Sequence, residues 1–466
     1  MRLTETAIPA GSIPRTQPAS DPMRLLVTNP WNGQAYCVLR SLRAHASRVI
    51  ATVYREHGAL GRLAPAAVSR FVDGVYPVPL AIQDWRRGAL EEENTAQEER
   101  YIRAVLDICA RERLDTVFPS WDPEVLLLSK NKSRLADRGI TVPVPEWAVL
   151  RRAMDKHALI EAASQLGFAC PRTYLPGAPE DAAELGKRLD YPVVVKPRFS
   201  VRGRGSYLVT DPVKLVETVR QVQPTFGMPL LQEWIPGGLD QRISVAVTLD
   251  RDGRPVTVHA RRHLRTVLRS FVSLPCAQAS CTELPVVGDA IRLLQALGYV
   301  GHARVQVKVD PRDGVARLME INCRPGYRIW CEIAVGQPVP LLCVQIHRGL
   351  PVEALPPHAG PDVFLNPVED AVSLVARCLD WTRRQVLPGP RGASATLERP
   401  PSPRAIFREH LATYRAPRRH FDWYFGALRD DPIAALSWYA SHLFGARRIH
   451  RLETVPGFLR GRAGQP

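Results

Sequence analysis

Residues 303–323, ARVQVKVDPRDGVARLMEINC, constrain the fold of this chain more than any other stretch. Two β-prone runs flank Pro-Arg-Asp-Gly, a turn that reverses the chain into an antiparallel hairpin. Side chains alternate across a strand, so Glu320 and Asn322, two residues apart, share a face. Gln306, on the preceding strand, can point at them, and Arg324 lies two residues further on in the same direction. Oxygen donors of this kind suit a hard cation such as Mg²⁺, which keeps waters and takes phosphates as further ligands. The plain alternative is a Glu-x-Asn pair facing solvent on an edge strand, but the apolar flank RLMEI argues for a buried one.

Two other segments carry chemistry of the same kind. In YPVVVKPRFSVRGRGSYLV, Lys196 ends an apolar strand, and Gly203 and Gly205 allow close backbone approach to an anion. Arg198, Arg202 and Arg204 add positive charge there, as phosphate oxygens require. Taken alone, this segment is equally well explained as a flexible basic turn. In PLLQEWIPGGLDQR, a β run ends at Glu233, Trp234 and Ile235. Its backbone N–H and C=O groups match an adenine edge, and Asp240 could take a ribose hydroxyl pair.

The hydrophobic periodicity divides the chain. Residues 1–22 are polar and Pro-rich and read as a disordered arm. From Met23, an apolar run, the turn NPWNG, an amphipathic segment and a second apolar run form a β-α-β unit. A helix follows with apolar positions Tyr101, Val105, Ile108 and Cys109, then the strand DTVFPS. Alternating strands and helices imply a parallel sheet covered on both faces, over residues 23–150. Residues 151–350 read as an α+β unit on an antiparallel sheet, opening with the helix MDKHALIEAASQLGF and closing with the helical run AVGQPVPLLCVQIHRGL. Helix DPVKLVETVRQV has Asp211 as its cap. Residues 351–403 are Pro- and Gly-rich and linker-like, apart from the short apolar stretch DAVSLVARCLDWTRR. Residues 404–466 form a helical extension bearing Trp423, Tyr424, Phe425 and Trp438. A helical cap on the core is its plainest reading, with a lid, dimer contact or docking surface as alternatives.

Composition excludes several classes. With 45% hydrophobic and 23% charged residues, the chain has the proportions of a globular protein. No window reaches the roughly 18 uninterrupted apolar residues of a spanning helix. The start has no apolar core of the kind a signal peptide needs. Nine scattered cysteines without a Cys-x-x-Cys pair suit reduced thiols in a cytoplasm rather than zinc ligands or disulfides. The net charge of +16 raises the question of nucleic acid. Only seven of the 62 basic residues are Lys, however, and Arg is spread along the whole chain, a compositional bias rather than a binding stripe.

The order of the pieces is more specific than any one of them. A Lys at a helix start (Asp155-Lys156), a Lys-Pro strand with a Gly loop, a Glu-x-hydrophobic hinge, a Gln strand and Glu-x-Asn-x-Arg together resemble the ATP-grasp superfamily. The likeness is closest to its carbamoyl-phosphate-synthase-like, carboxylate–amine ligase branch. It covers residues from about 23 to 350, and the first unit resembles the family's preATP-grasp domain.

The resemblance implies a role for each matching position. Lys156 and Lys196 match the lysines on the α- and β-phosphates, and Gly203, Arg204 and Gly205 match the lid. Glu233 and Ile235 match the adenine-edge positions, acting largely through backbone atoms, and Asp240 matches the ribose ligand. Gln306, Glu320 and Asn322 match the Mg²⁺ ligands, with Glu320 bridging two ions; Mn²⁺ could substitute. Arg324 matches the arginine that steadies the transferred phosphoryl group. Arg262 or its neighbour Arg261 matches a basic γ-phosphate contact, with Arg262 taken as the candidate. Cys323 departs from the usual proline, and Gln306 replaces an often acidic ligand. The absence of a biotin-attachment motif and of a second grasp unit disfavours biotin carboxylase and full carbamoyl-phosphate synthase.

The implied activity is ATP-dependent: a carboxylate is activated as an acyl phosphate and joined to an amine, with release of ADP and phosphate. The small-molecule acid and amine are not identified by the sequence, and a homodimer is compatible with it. Two alternatives are a protein of the same fold that binds ATP without turnover, and a basic nucleic-acid-associated protein.

Overall fold

The computed structural model describes residues 22–31, 33–81, 93–200, 203–266, 275–386 and 402–440. The expected N-terminal arm, Arg202 and the last part of the C-terminal extension lie outside these residues.

The first unit is built on strands β1 (Met23–Thr28), β2 (Ala46–Tyr54), β3 (Gly74–Val78) and β4 (Thr116–Phe118), all parallel, in the order β3-β2-β1-β4. Along β1, Leu26 enters one hydrophobic core while Leu25 and Val27 enter another. Burial on both faces is what a parallel sheet between helical layers requires. Helix Ala96–Glu112 begins with a reciprocal capping box between Thr95 and Glu98 and buries Tyr101, Val105, Ile108 and Cys109, as its periodicity predicts.

The second unit has two sheets. The smaller consists of β5 (Thr173–Tyr174), β6 (Val193–Lys196), β7 (Tyr207–Val209) and β8 (Leu230–Glu233), antiparallel in the order β5-β8-β6-β7. Val193, Val195, Val209 and Leu231 pack under helix Val213–Phe226 through Leu215, Val219 and Val222. Asp211 accepts from the Val213 N–H at the start of that helix.

The larger sheet consists of β9 (Arg242–Leu249), β10 (Pro255–Thr266), β11 (Pro275–Ser280), β12 (Gly301–Val309), β13 (Ala316–Asn322), β14 (Val363–Leu365) and β15 (Arg419–Phe421). Their order is β13-β12-β9-β10-β11-β14-β15, antiparallel except for the last pair. Val245, Val247, Val305 and Val307 pack on helix Val286–Ala296 in the main core, which leaves the opposite face of β9 and β12 polar.

Three sequence expectations change in detail. The single helix expected from Met154 is two, Trp147–Met154 and Lys156–Gln165, because Asp155 stops the first and caps the second through the His157 and Ala158 amides. Within the linker-like stretch, Val363–Leu365 joins the large sheet and Pro367–Val386 is a helix of 20 residues. Asp370 fastens that helix to β10, accepting from Arg265 at 2.8 and 2.9 Å. The C-terminal extension contributes β15 as well as helices. Tyr424 stacks between Tyr36 (4.3 Å between ring centroids) and Trp438 (4.4 Å), so the described part of the extension caps the first unit.

Candidate functional site

The polar face of the large sheet is set by strand alternation and by one irregularity. Gln306 pairs with Glu320 and Arg304 with Asn322, but Val307 pairs with Leu318. Met319 is thus an extra residue, a bulge that reverses the alternation of β13. Leu318 and Ile321 consequently both reach the core, while Glu320 and Asn322 face the other way beside Gln306. The three expected metal ligands are brought together, with the Asn322 amide 3.3 Å from Glu320 Oε1.

On the small sheet, Val193 and Val195 take the helix-covered face, so Lys196 projects from the opposite one. It is 7% exposed. Lys156 is drawn alongside it because Arg198, just after β6, forms an ion pair with Asp155, and the Lys156 N–H donates to the Arg198 carbonyl at 3.2 Å. Burial, then the neighbouring Lys156 cation, push the Lys196 ammonium down to about 7, against the attraction of Glu320. Lys156 is also lowered by burial, with Glu320 opposing. Lys156 from a helix start, Lys196 from the small sheet and Glu320 from the large sheet are therefore within electrostatic reach of one another, a charge arrangement that suits a polyphosphate with a divalent cation.

The other candidates are placed as follows. Gly203 and Gly205 have φ of 65° and 70°, the left-handed region, and Gly205 is packed so closely on Phe226 and Pro197 that a Cβ would lie 2.8 Å from either. Arg204 stands between them, half-buried. Ile235 is buried at the end of the hinge. Asp240 is exposed in the short helix Leu239–Gln241. The Glu233 carboxylate lies on the same face as Val193, away from Lys196, and binds Arg312 at 2.6 Å and Arg172 at 3.5 Å. Only the backbone of Glu233 is left for a ligand on the Lys196 face.

The alternation of β10 puts Arg261 and Arg262 on opposite faces. Arg262 is exposed and lies on the face that carries Val258 and Ala260 inward, opposite the polar face. Arg261 is fully buried on the polar face and bonds Glu332 at 2.6 Å and Gln278 at 3.2 Å. Arg324 is also engaged: it donates to both oxygens of Asp122, which follows β4 in the first unit, at 2.8 and 2.7 Å.

Several polar residues at this site were not expected from the sequence. Lys308 is buried, and its ammonium donates to the Ile235 carbonyl at 2.7 Å and the Gly237 carbonyl at 2.8 Å, with the Trp234 ring 4.6 Å away. Arg242, lowered by burial against the pull of Glu320, adds a further cation. Arg304 is buried next to Asn322. The signal was present, since Arg304, Gln306 and Lys308 put a polar group at every second place of an otherwise apolar strand. In the first unit, Asn29 ends β1 with φ 47°, and both polar atoms of its side chain are buried without partners. Such strain is commonly found beside ligands.

Residues 155–353 match the family described as carbamoyl-phosphate synthase L chain, ATP binding domain, and residues 94–143 match the PylC-like N-terminal domain. The carbamoyl phosphate synthase large chain of Thermus thermophilus is 23% identical over 268 residues, covering 53% of this chain and 25% of that protein. The arginine-specific large chain of Eremothecium gossypii is 24% identical over 250 residues, covering 52% and 22%. The chain thus spans about a quarter of the length of these relatives. Among solved structures, biotin carboxylase from Campylobacter jejuni, in an ATP complex, superposes with a TM-score of 0.56 at 18% identity, over 72% of each chain. The biotin carboxylase domain dimer of the Hydrogenobacter thermophilus 2-oxoglutarate carboxylase gives 0.56 at 16% identity, over 71% and 70%. These last two likenesses bear on the fold. Residues 155–353 are thus similar to the ATP binding domain of the carbamoyl-phosphate synthase L chain, in line with the ATP-grasp likeness of the sequence.

Proposed function

We propose that the protein is an ATP-dependent ligase that activates a carboxylate as an acyl phosphate and joins it to an amine. The observation that carries this reading is the grouping of Gln306, Glu320 and Asn322 on one polar face, with the buried Lys196 and its neighbour Lys156 within electrostatic reach of Glu320. The hinge backbone at Trp234 and Ile235 would receive the adenine, and Asp240 the ribose. Lys156 and Lys196 would bind the α- and β-phosphates, exchanging poor solvation for charge-assisted hydrogen bonds. Gly203, Arg204 and Gly205 would close over the phosphates and exclude water, which would otherwise hydrolyse the acyl phosphate.

Gln306, Glu320 and Asn322 would supply the hard oxygen donors that Mg²⁺ takes. Bound there, the metal would offset phosphate charge. A carboxylate oxygen of the substrate then bonds to the γ-phosphorus as the bond to the β-bridging oxygen breaks and ADP leaves. Arg324 stabilises the charge spread over the transferred group. The amine adds to the acyl carbon, loses a proton and expels inorganic phosphate, leaving an amide.

A nucleotide-binding protein without turnover is the second reading. It is favoured by one observation, the engagement of Arg324 with Asp122. An ADP-release screen with acids and amines offered in pairs separates the two. Release that requires both partners supports ligation, whereas full turnover by Glu320→Ala would overturn the site assignment.

A further inference from the structure

Two guanidiniums of the polar face are left without a bonded carboxylate among the described residues: Arg242, which sits opposite Lys308 at the hinge end, and Arg304, four residues back along β12. Arg304 is 8% exposed, and its Nε and Nη2 have no hydrogen-bond partner. Its neighbours differ. Arg261 is bonded to Glu332, Arg328 to Glu369 at 2.6 Å, and Arg324 to Asp122. Glu332 attracts Arg304 but already accepts from Arg261 through Oε1. Burying a guanidinium with idle N–H groups costs stability unless a water, an ion or a ligand satisfies them.

Its surroundings are built to keep it there. Gly326 lies against the guanidinium so closely that a Cβ would come within 2.7 Å of Nη1. Any side chain at 326 would therefore displace it. The 324–328 loop that carries Gly326 is fastened on both sides, by Arg324 to Asp122 and by Arg328 to Glu369.

Position along β12 indicates what the ligand is. Lys308 binds the hinge carbonyls, Gln306 faces Glu320, and Arg304 faces Asn322. Each step of two residues advances about 7 Å along a strand. The base, the metal-bound phosphates and Arg304 thus follow one another in a line, which puts Arg304 beyond the γ-phosphate end of the nucleotide. A planar guanidinium with two parallel N–H groups free matches a carboxylate.

We infer that Arg304 is the specificity-determining seat for the carboxylate of the acid substrate, presenting it to the γ-phosphate. This rests on the ligase reading above, and it names a single residue that sorts acids from neutral molecules. It also implies that neutral amides of the same acids do not enter.

The test uses the full chain and two titrations by calorimetry, one with MgADP and one with acetate, malonate, L-aspartate and L-glutamate in the presence of MgADP. Arg304→Gln is expected to weaken the best-bound acid at least tenfold and to leave MgADP within twofold, with Arg304→Lys between. The ligand-free Arg304→Gln protein should melt a few degrees higher than wild type, because an idle buried cation is gone; a purely structural arginine would melt lower. Unchanged acid binding in Arg304→Gln, or failure of wild type to bind any of the four acids, overturns the inference. Loss of MgADP binding in Arg304→Gln overturns it too, by making the residue a nucleotide ligand. If wild type itself does not bind MgADP, the ATP reading fails, whatever Arg304 does.

Discussion

Arg324 holds Asp122 through two hydrogen bonds of 2.8 and 2.7 Å, joining the end of the large antiparallel sheet to the end of the parallel one. Both side chains are about one-tenth exposed, and the Trp121 ring lies 5.6 Å from the guanidinium. A residue of the nucleotide unit is thereby oriented by a residue of the first unit. The residue proposed to steady the transferred phosphoryl group depends on a contact outside its own sheet.

Removing that orienter should cost both stability and turnover. For Asp122→Ala we expect about 2–3 kcal/mol of destabilisation, below the figure for a fully buried pair because some water reaches it. Turnover should fall at least tenfold while the Kd for MgADP stays within threefold. Chemical denaturation and ADP release measure the two separately, and equal loss of nucleotide binding would show that Asp122 supports the whole site.

Glu320→Gln keeps the shape of the side chain and removes its charge. Nucleotide affinity should become nearly insensitive to Mg²⁺, and turnover should fall by roughly two orders of magnitude, as when a major electrostatic contact at the reacting phosphate is lost. Calorimetry with and without EDTA reads the first effect. A wild-type response to Mg²⁺ in the variant would remove Glu320 from the metal site.

The lowered Lys196 makes binding proton-linked. Burial, with Lys156 beside it, brings Lys196 to about 7, far under the usual 10.5. Between those values the unfolded chain holds the proton and the folded chain does not, so this group's contribution to stability rises with pH across that window. It is least favourable below pH 7, where the folded protein must carry the buried charge. A bound phosphate would favour the charged form, so nucleotide binding at pH 8 should take up a proton. Calorimetry in buffers of different ionisation enthalpy counts that proton, and Lys196→Met should abolish the uptake. A wild-type enthalpy independent of buffer would contradict the linkage.

Lys308 organises the hinge rather than the phosphates. Lys308→Met removes two charge-assisted hydrogen bonds to the Ile235 and Gly237 carbonyls, worth about 1.5–3 kcal/mol each where buried. We expect ADP to bind roughly tenfold or more weakly, with inorganic tripolyphosphate hardly affected. Equal losses for the two ligands would place Lys308 on the phosphates instead.

Much of this organisation was legible in local order. The β-α-β pattern after Met23, the Pro-Arg-Asp-Gly hairpin and the spacing of Glu320, Asn322 and Arg324 are short-range features, set by side-chain period and turn chemistry. Asp155 as a helix start, and the buried face of helix Ala96–Glu112, are of the same kind. Other features depend on which strand lies next to which. The bulge at Met319 gives Glu320 its face, and no propensity in RLMEIN announces an extra residue. Arg261 and Arg262 are adjacent and chemically identical, so only the packing of β10 assigns one to the polar face and the other to solvent. The sequence by itself determined the classes of chemistry and their order along the chain, because hydrophobic period, turns and caps act over a few residues. The tertiary structure alone decided which charges come within reach of one another and which stay unpaired. Lys196 with Glu320, Arg324 with Asp122, and idle Arg304 are set by contacts between distant segments, and burial gives each its electrostatic weight.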